Sequence, residues 1–444
     1  MAIHPIESRY GRLKIRKIFD DETKLQRMLE VESALARAHA KAGSIPQDAA
    51  DEITKKADVR YVKLERVKEI EAKIDHDVMA IVEALSEQCG EGGKYVHLGA
   101  TSNDIQDTAL ALQLKEYITY LNKDLEQLKG VIIKQAKRHK KTVAIGRTHG
   151  QHAIPTTYGL KFAIYAMEIQ RGIDRIAECE GRIIVGQLTG AVGTQAALGG
   201  KGIEIQDYMM KDLGLKSVKV SNQVIQRDRH AELLLNLALI AETLNKISTE
   251  IRNLQRTEIG EVSEGFGKNQ VGSSTMPHKM NPIYAERICG LSRIIKANAF
   301  ASLDNIALWH ERDLTNSSCE RIIIPESCIL TDYILNLCIE LIRNLVFDKK
   351  AIERNLNLTQ GRVMAESVMV TLVSKGLGRQ EAHKLTRDCA LESHHKKVEF
   401  RETLLENKEI KKLLDEVEID KALDPGRYIG TAVEQVDIVV RELE

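Results

Sequence analysis

Aromatic residues make up only 4% of this chain and proline only 7 of its 444 positions. Both shortages weigh against a β-sandwich or barrel, which draws on aromatic strand residues and turn prolines. An excess of one charge is missing too: 64 Lys and Arg balance 64 Asp and Glu. That balance excludes a strongly basic nucleic-acid binder and leaves room only for a local cationic pocket. No apolar run approaches the ~18 residues of a membrane span. The charged stretch from Met1 to Phe19 has no apolar signal-peptide core, so secretion is not expected. The seven cysteines (Cys89, Cys179, Cys289, Cys319, Cys328, Cys338, Cys389) are odd in number and never in CxxC spacing. They argue against a disulfide scaffold or a zinc site and for a reducing cytoplasm.

Helical periodicity is what the sequence does have. From Asp228 to Glu258, the residues Leu233, Leu237, Ile240, Leu244, Ile247, Ile251 and Leu254 alternate in steps of four and three. This is a heptad seam along roughly 46 Å of helix. A second seam runs through Leu110, Leu114, Tyr117, Leu121, Leu125, Leu128, Ile132 and Ala136, and a shorter third through Leu330, Ile334, Leu337, Leu341 and Leu345. Segments 160–180 and 283–308 also read as helices. Such stripes are buried only against other long helices, so the chain reads as an all-α protein around a bundle.

Three glycine-rich breaks interrupt the helices: Gly90 to Asp104, Gly186 to Gly202 and Gly260 to Pro282. The first offers Ser102, Asn103 or Asp104 as a helix N-cap. The third exceeds the usual connection length, as binding loops and lids do. The expected division is an N-terminal helical domain over 1–101, a central long-helix domain over 102–347 with a mobile loop over 260–282, and a small helical domain over 348–444.

Chemistry concentrates in and around these breaks. The segment GSSTMPHKMNP, Gly272 to Pro282, puts a serine pair near His278 and Lys279. Serine acts as a base only where its alkoxide is stabilised, and the composition equally suits a solvated loop. GRTHGQHAIP places His149 and His152 three apart at the edge of a helix. A general acid or a hydrogen-bonded structural histidine fits, whereas a metal site lacks a third ligand. In IDHDVM, His76 stands between Asp75 and Asp77, either oriented and partly protonated by a carboxylate or part of a surface charge cluster. VHLGATSND combines His97 with Thr101 and Ser102 at a helix start, suited to an anion or to simple capping. LWHERDLTNSSCER joins Arg312, Ser317 and Arg321, a set fit for phosphate or for salt bridges at a helix end. Arg9 adjoins Tyr10 near the N-terminus. No GxGxxG follows a strand and no GxxxxGK[ST] occurs, so nucleotide hydrolysis and dinucleotide redox chemistry lack their usual supports.

The GSSTMPHKMNP segment resembles the GSSxMPxKxNP signature of the fumarase/aspartase superfamily. SRYG, IDHDVMA, HLGATSNDIQDTA, GRTHGQHAIPTTYGLK, NQVIQRDRH, LWHERDLTNSSCERI and GRVMAESVMVTLVSKGLGRQEAH are similar, in the same order, to the adenylosuccinate lyases within it. His278 sets the segment apart from fumarases, aspartases and argininosuccinate lyases, while Met280 departs from the arginine of many bacterial relatives. The resemblance implies a three-domain helical subunit in a homotetramer, acting on a succinyl-purine nucleotide without cofactor or metal, and without nucleic-acid or membrane partners. It implies His149 as general acid, Ser273 as base with Ser274 beside it, and His76 as a further catalytic histidine. Substrate-binding positions implied in the same way are Arg9, Tyr10, Asp75, Asp77, His97, Thr101, Ser102, Gln223, Lys279, Asn281, Arg312, Ser317 and Arg321. A sister fumarate-releasing lyase, such as one acting on argininosuccinate, is the alternative. The paired arginines favour a phosphate-bearing substrate.

Overall fold

The computed structural model describes residues 4–265 and 275–444. Among them are eighteen α-helices and three two-stranded sheets, so the all-α expectation holds. The described chain forms two compact units. One contains residues up to Glu126 with Arg171–Leu244 and Cys289–Asn336; the other contains Gln127–Gln170, the described part of Asn245–Ile288, and Leu337–Glu444.

In the first unit the seams are core. Leu114, Tyr117, Leu121 and Leu125 of helix Ser102–Arg138 are buried, as are Leu233, Leu237, Ile240 and Leu244 of helix Asp228–Leu254. Steps of four and three keep one apolar face pointing inward along each helix. Helix Asp21–Lys41 starts where Asp20 accepts the Thr23 N–H at 2.7 Å and buries Leu25, Met28, Leu29 and Leu35. Arg12 ties the N-terminal segment down: it donates to Asp332 (2.7 Å), Asn336 (2.8 Å) and Asp124. Helix Thr315–Arg343 begins fifteen residues before the third seam and runs through Pro325. That proline has no N–H for the Arg321 carbonyl one turn back. By length and composition the helix could cross a membrane, but 72% of its most apolar window is buried within the protein.

In the second unit, strands Val143–Thr148 and Gln151–Thr157 form an antiparallel hairpin with Thr148 opposite Gln151. His149 and Gly150 are then a two-residue turn, with φ of 53° and 75°. Two positive φ values give the type I′ geometry that matches strand twist. His149 therefore sits on a hairpin tip, not at a helix edge. Helix Tyr158–Ile183 follows at once, and its start is pressed so close to the preceding chain that a Cβ on Gly159 would lie 2.7 Å from the Lys140 nitrogen. Val262–Ser263 pairs antiparallel with Val346–Phe347, and Phe347 stacks on His139 at 3.8 Å. Beyond it, shorter helices close over their own core of Val368, Leu372, Phe400, Leu404 and Ile410.

Candidate active site

The first unit gathers most of the expected binding residues. Its cleft of about 280 Å³ is lined by Lys24, Asp107, Arg227, Arg312, Ser317 and Arg321, among others. Ser317 and Arg321 ride on the first two turns of helix Thr315–Arg343, whose positive dipole end favours an anion even though Asp313 takes the Thr315 N–H at 2.8 Å and the Leu314 carbonyl takes that of Ser317 at 3.1 Å. Arg227 is fully engaged: it grips Asp107 through two nitrogens at 2.7 and 2.9 Å and reaches Glu320 at 3.0 Å. Burial alone would raise the Asp107 pKa, but the guanidinium outweighs it and holds the carboxyl below its usual range. Arg321 is paired with Asp77, which also accepts from Gln106 at 2.9 Å. Burial pushes the Asp77 pKa up, and Arg321 more than reverses that.

Two cations of the cleft have no carboxylate partner among the described residues. Arg312 donates to the side chain of Gln223 at 2.8 Å, and its Nε is buried without a hydrogen bond. Lys24 makes no ion pair, and Asp77, Asp21 and Glu71 act on it only at longer range. Burial, helped by neighbouring Arg321, pulls its pKa down.

The helix Ser102–Arg138 is capped at Thr101, one residue before the expected cap. Asp104 reaches back to the Thr101 N–H at 2.9 Å and also takes the Thr189 and Gly190 N–H groups at 2.8 and 3.0 Å. The carboxylate thus joins two of the glycine-rich breaks and fixes where Thr101 and Ser102 stand. Gln223 adds a bond to the Ala191 carbonyl at 2.8 Å. His97 pairs with buried Glu32. His76 caps helix Asp77–Ser86, its Nδ1 accepting the Met79 N–H at 3.2 Å, while the nearest Asp77 oxygen is 3.9 Å away. A backbone amide, not a carboxylate, orients this ring, which leaves Nε2 as the protonated nitrogen. Asp75, in left-handed conformation, ends the preceding helix and is exposed. Arg9 and Tyr10 bond to each other at 3.1 Å, with Tyr10 against Tyr333 at 5.7 Å.

The second unit holds the rest. His149 is exposed at its hairpin tip. Lys279 is exposed in a turn closed by its N–H to the Met276 carbonyl at 3.0 Å, and Asn281 precedes helix Ile283–Asp304. Glu264 accepts the Tyr284 and Ala285 N–H groups at 3.2 and 2.7 Å, tying the two sides of the signature segment together. Ser273 and Ser274 lie outside the described residues.

The chain as a whole has counterparts among known proteins. A family model described as "Lyase" matches residues 10–296, and one described as "Adenylosuccinate lyase C-terminus" matches residues 361–439. The chain is 53% identical to the adenylosuccinate lyase of Methanocaldococcus jannaschii across 100% of its length and 96% of that protein's. To the adenylosuccinate lyase of Pyrococcus abyssi it is 54% identical, covering 100% and 98%. The chain belongs to the adenylosuccinate lyase family. A fumarate lyase structure from Mesorhizobium matches with a TM-score of 0.91 at 31% identity, covering 97% of this chain and 98% of that one. A 3-carboxy-cis,cis-muconate lactonizing enzyme from Pseudomonas putida matches with a TM-score of 0.91 at 32% identity, covering 99% and 98%.

Against that family background, the sequence reading missed Lys24, the Arg227–Asp107–Glu320 group and Glu261. The charged residues are ordinary within their own segments. Partners about a hundred positions away reveal the last two, Asp107 for Arg227 and Arg147 for Glu261, whereas Lys24 shows only by its place in the cleft.

Proposed function

We infer that this protein catalyses β-elimination of fumarate from adenylosuccinate, giving AMP, and from the succinyl-aminoimidazole-carboxamide ribotide SAICAR, giving AICAR. The cleft of the first unit is the observation that carries the substrate class. Lys24 and Arg312 lack carboxylate partners there, beside Ser317, Arg321 and a helix N-terminus. Such donors suit a phosphate, which the purine substrates carry and argininosuccinate lacks.

In this reading a base on the signature segment, Ser273, takes the proton from the carbon α to a carboxylate and β to the departing nitrogen. The electron pair moves into that carboxylate as an aci-acid, then forms the carbon–carbon double bond of fumarate as the carbon–nitrogen bond breaks. His149 gives a proton to the leaving purine nitrogen. Lys279, Asn281, Thr101 and Ser102 donate to the aci-acid, where fixed donors lower the barrier most. His76 and His97 flank the substrate, with Arg9, Tyr10, Asp75, Asp77 and Gln223 completing its binding. The subunit is organised as domains 1–101, 102–347 and 348–444, assembles as a homotetramer with a shared helical core, and works in the cytoplasm.

The test is to mix the purified protein with adenylosuccinate and follow fumarate release together with the purine absorbance change. Argininosuccinate serves as the comparison. Turnover of the second compound in preference to the first would overturn the reading.

A further inference from the structure

We propose that Glu261 is a positioning residue for His149, holding the hairpin that carries the general acid. The inference rests on the assignment of His149 as that acid. The Glu261 side chain is 1% exposed and accepts from three elements. Arg147 donates to it from the first hairpin strand, two residues before the tip. The Tyr158 hydroxyl donates from the residue that follows the second strand. Asn355 donates at 2.8 Å from helix Lys349–Asn357. The Glu261 backbone is equally fixed, its N–H on the Leu254 carbonyl at 3.0 Å and its carbonyl on the Asp348 N–H at 3.0 Å.

A two-stranded hairpin is marginally stable by itself, so one that presents a catalytic group must be braced. Here the brace grips both sides of the hairpin. The pairing register shifts between Ile145 and Arg147, and Arg147 then pairs with His152 across the ladder. Holding the Arg147 guanidinium therefore fixes the strand immediately before the tip. Burial raises the Glu261 pKa, but Arg147, Tyr158 and Asn355 together bring it below the usual range, so the carboxylate is charged when it holds Arg147. Two residues after Glu261, strand Val262–Ser263 ends, and in sequence the signature segment begins nine residues later at Gly272. One carboxylate thus ties both ends of the acid's hairpin to helix Lys349–Asn357.

The test is a double-mutant cycle on the full-length enzyme, with Glu261→Gln, His149→Asn and the pair. Glu261→Gln is expected to lower kcat by about 10²-fold, the size of effect a misplacement of ~1 Å produces, with KM nearly unchanged. Added to His149→Asn it should cause no further loss, because residues that act as one unit are not additive. Wild-type kcat in Glu261→Gln, or a full multiplicative loss in the pair, overturns the proposal. If Glu261→Gln does not fold, Arg147→Met carries the same cycle from the other side of the bond, with the same expected result. Near wild-type turnover in His149→Asn overturns the acid assignment and this inference with it. A multiplicative pair beside an inactive His149→Asn overturns only the inference.

Discussion

Nδ1 of His97 lies 2.6 Å from Oε1 of Glu32, and the other oxygen of that carboxylate takes the His97 backbone N–H at 3.1 Å. One acid therefore holds both the ring and a backbone kept at a φ of 64°, a left-handed conformation that is costly outside glycine. Burial pulls the imidazole pKa down, but Glu32 outweighs it and raises the pKa above its ordinary value.

The sign of the pH effect follows. A raised histidine pKa contributes stability that is fully present below the unfolded value of about 6.5 and is lost as pH rises through the folded value. Glu32→Gln should remove this dependence and cost ~1.5–3 kcal/mol on the acid side, the range for a hydrogen bond to a charged group. Thermal melts of both proteins across this range check it. Parallel curves for the two would sink the coupling.

The hairpin geometry chooses the variant that tests the acid. At a φ of 53°, asparagine is tolerated better than glutamine, so His149→Asn removes the imidazole while disturbing the turn least. Turnover should fall by about 10²–10⁴-fold, the usual size of general acid–base catalysis. Retention of more than a tenth of the activity, in protein with an unchanged melting temperature, would move the acid elsewhere.

Lys24 and Arg321 should act on binding more than on turnover. Lys24→Met and Arg321→Met are each expected to raise KM by about tenfold, equivalent to losing a charged hydrogen bond of ~1.5 kcal/mol. Inorganic phosphate, as a competitive inhibitor, should weaken in both. A KM that moves in Arg321→Met but not in Lys24→Met would leave the lysine out of the phosphate site.

A site shared between subunits makes a separate claim. Inactive His149→Asn and inactive Ser273→Ala, dissociated together and reassembled, should recover about a quarter of the native sites by symmetry counting. Continued inactivity after demonstrated exchange of subunits would show that one chain supplies both residues.

Long-range structure was legible where it was written as periodicity. The steps of four and three from Leu233 to Leu254 require one buried face whatever surrounds it, and that face is buried. The hairpin at His149 was not legible. His-Gly replaces the usual Asn-Gly turn signal, and the second strand runs straight into a helix at Tyr158. Pro325 hid the start of its helix, since an interior proline ordinarily ends one. Site residues were legible as candidates because their segments are chemically dense. Their partners were not: the amide that orients His76 and the arginine that neutralises Asp77 are set by the fold rather than by neighbouring letters.

Each compact unit is assembled from three separate stretches of chain, and this has a consequence during synthesis. The first unit waits for Cys289–Asn336 to join residues up to Glu126, and the second is complete only with Leu337–Glu444. At ribosomal speeds of ~5–20 residues per second, the seam of helix Ser102–Arg138 spends on the order of ten to forty seconds without its last neighbours. A nascent chain in that interval presents long leucine-rich stripes to the cell, so its yield should depend on chaperone capacity more steeply than the stability of the finished protein would suggest.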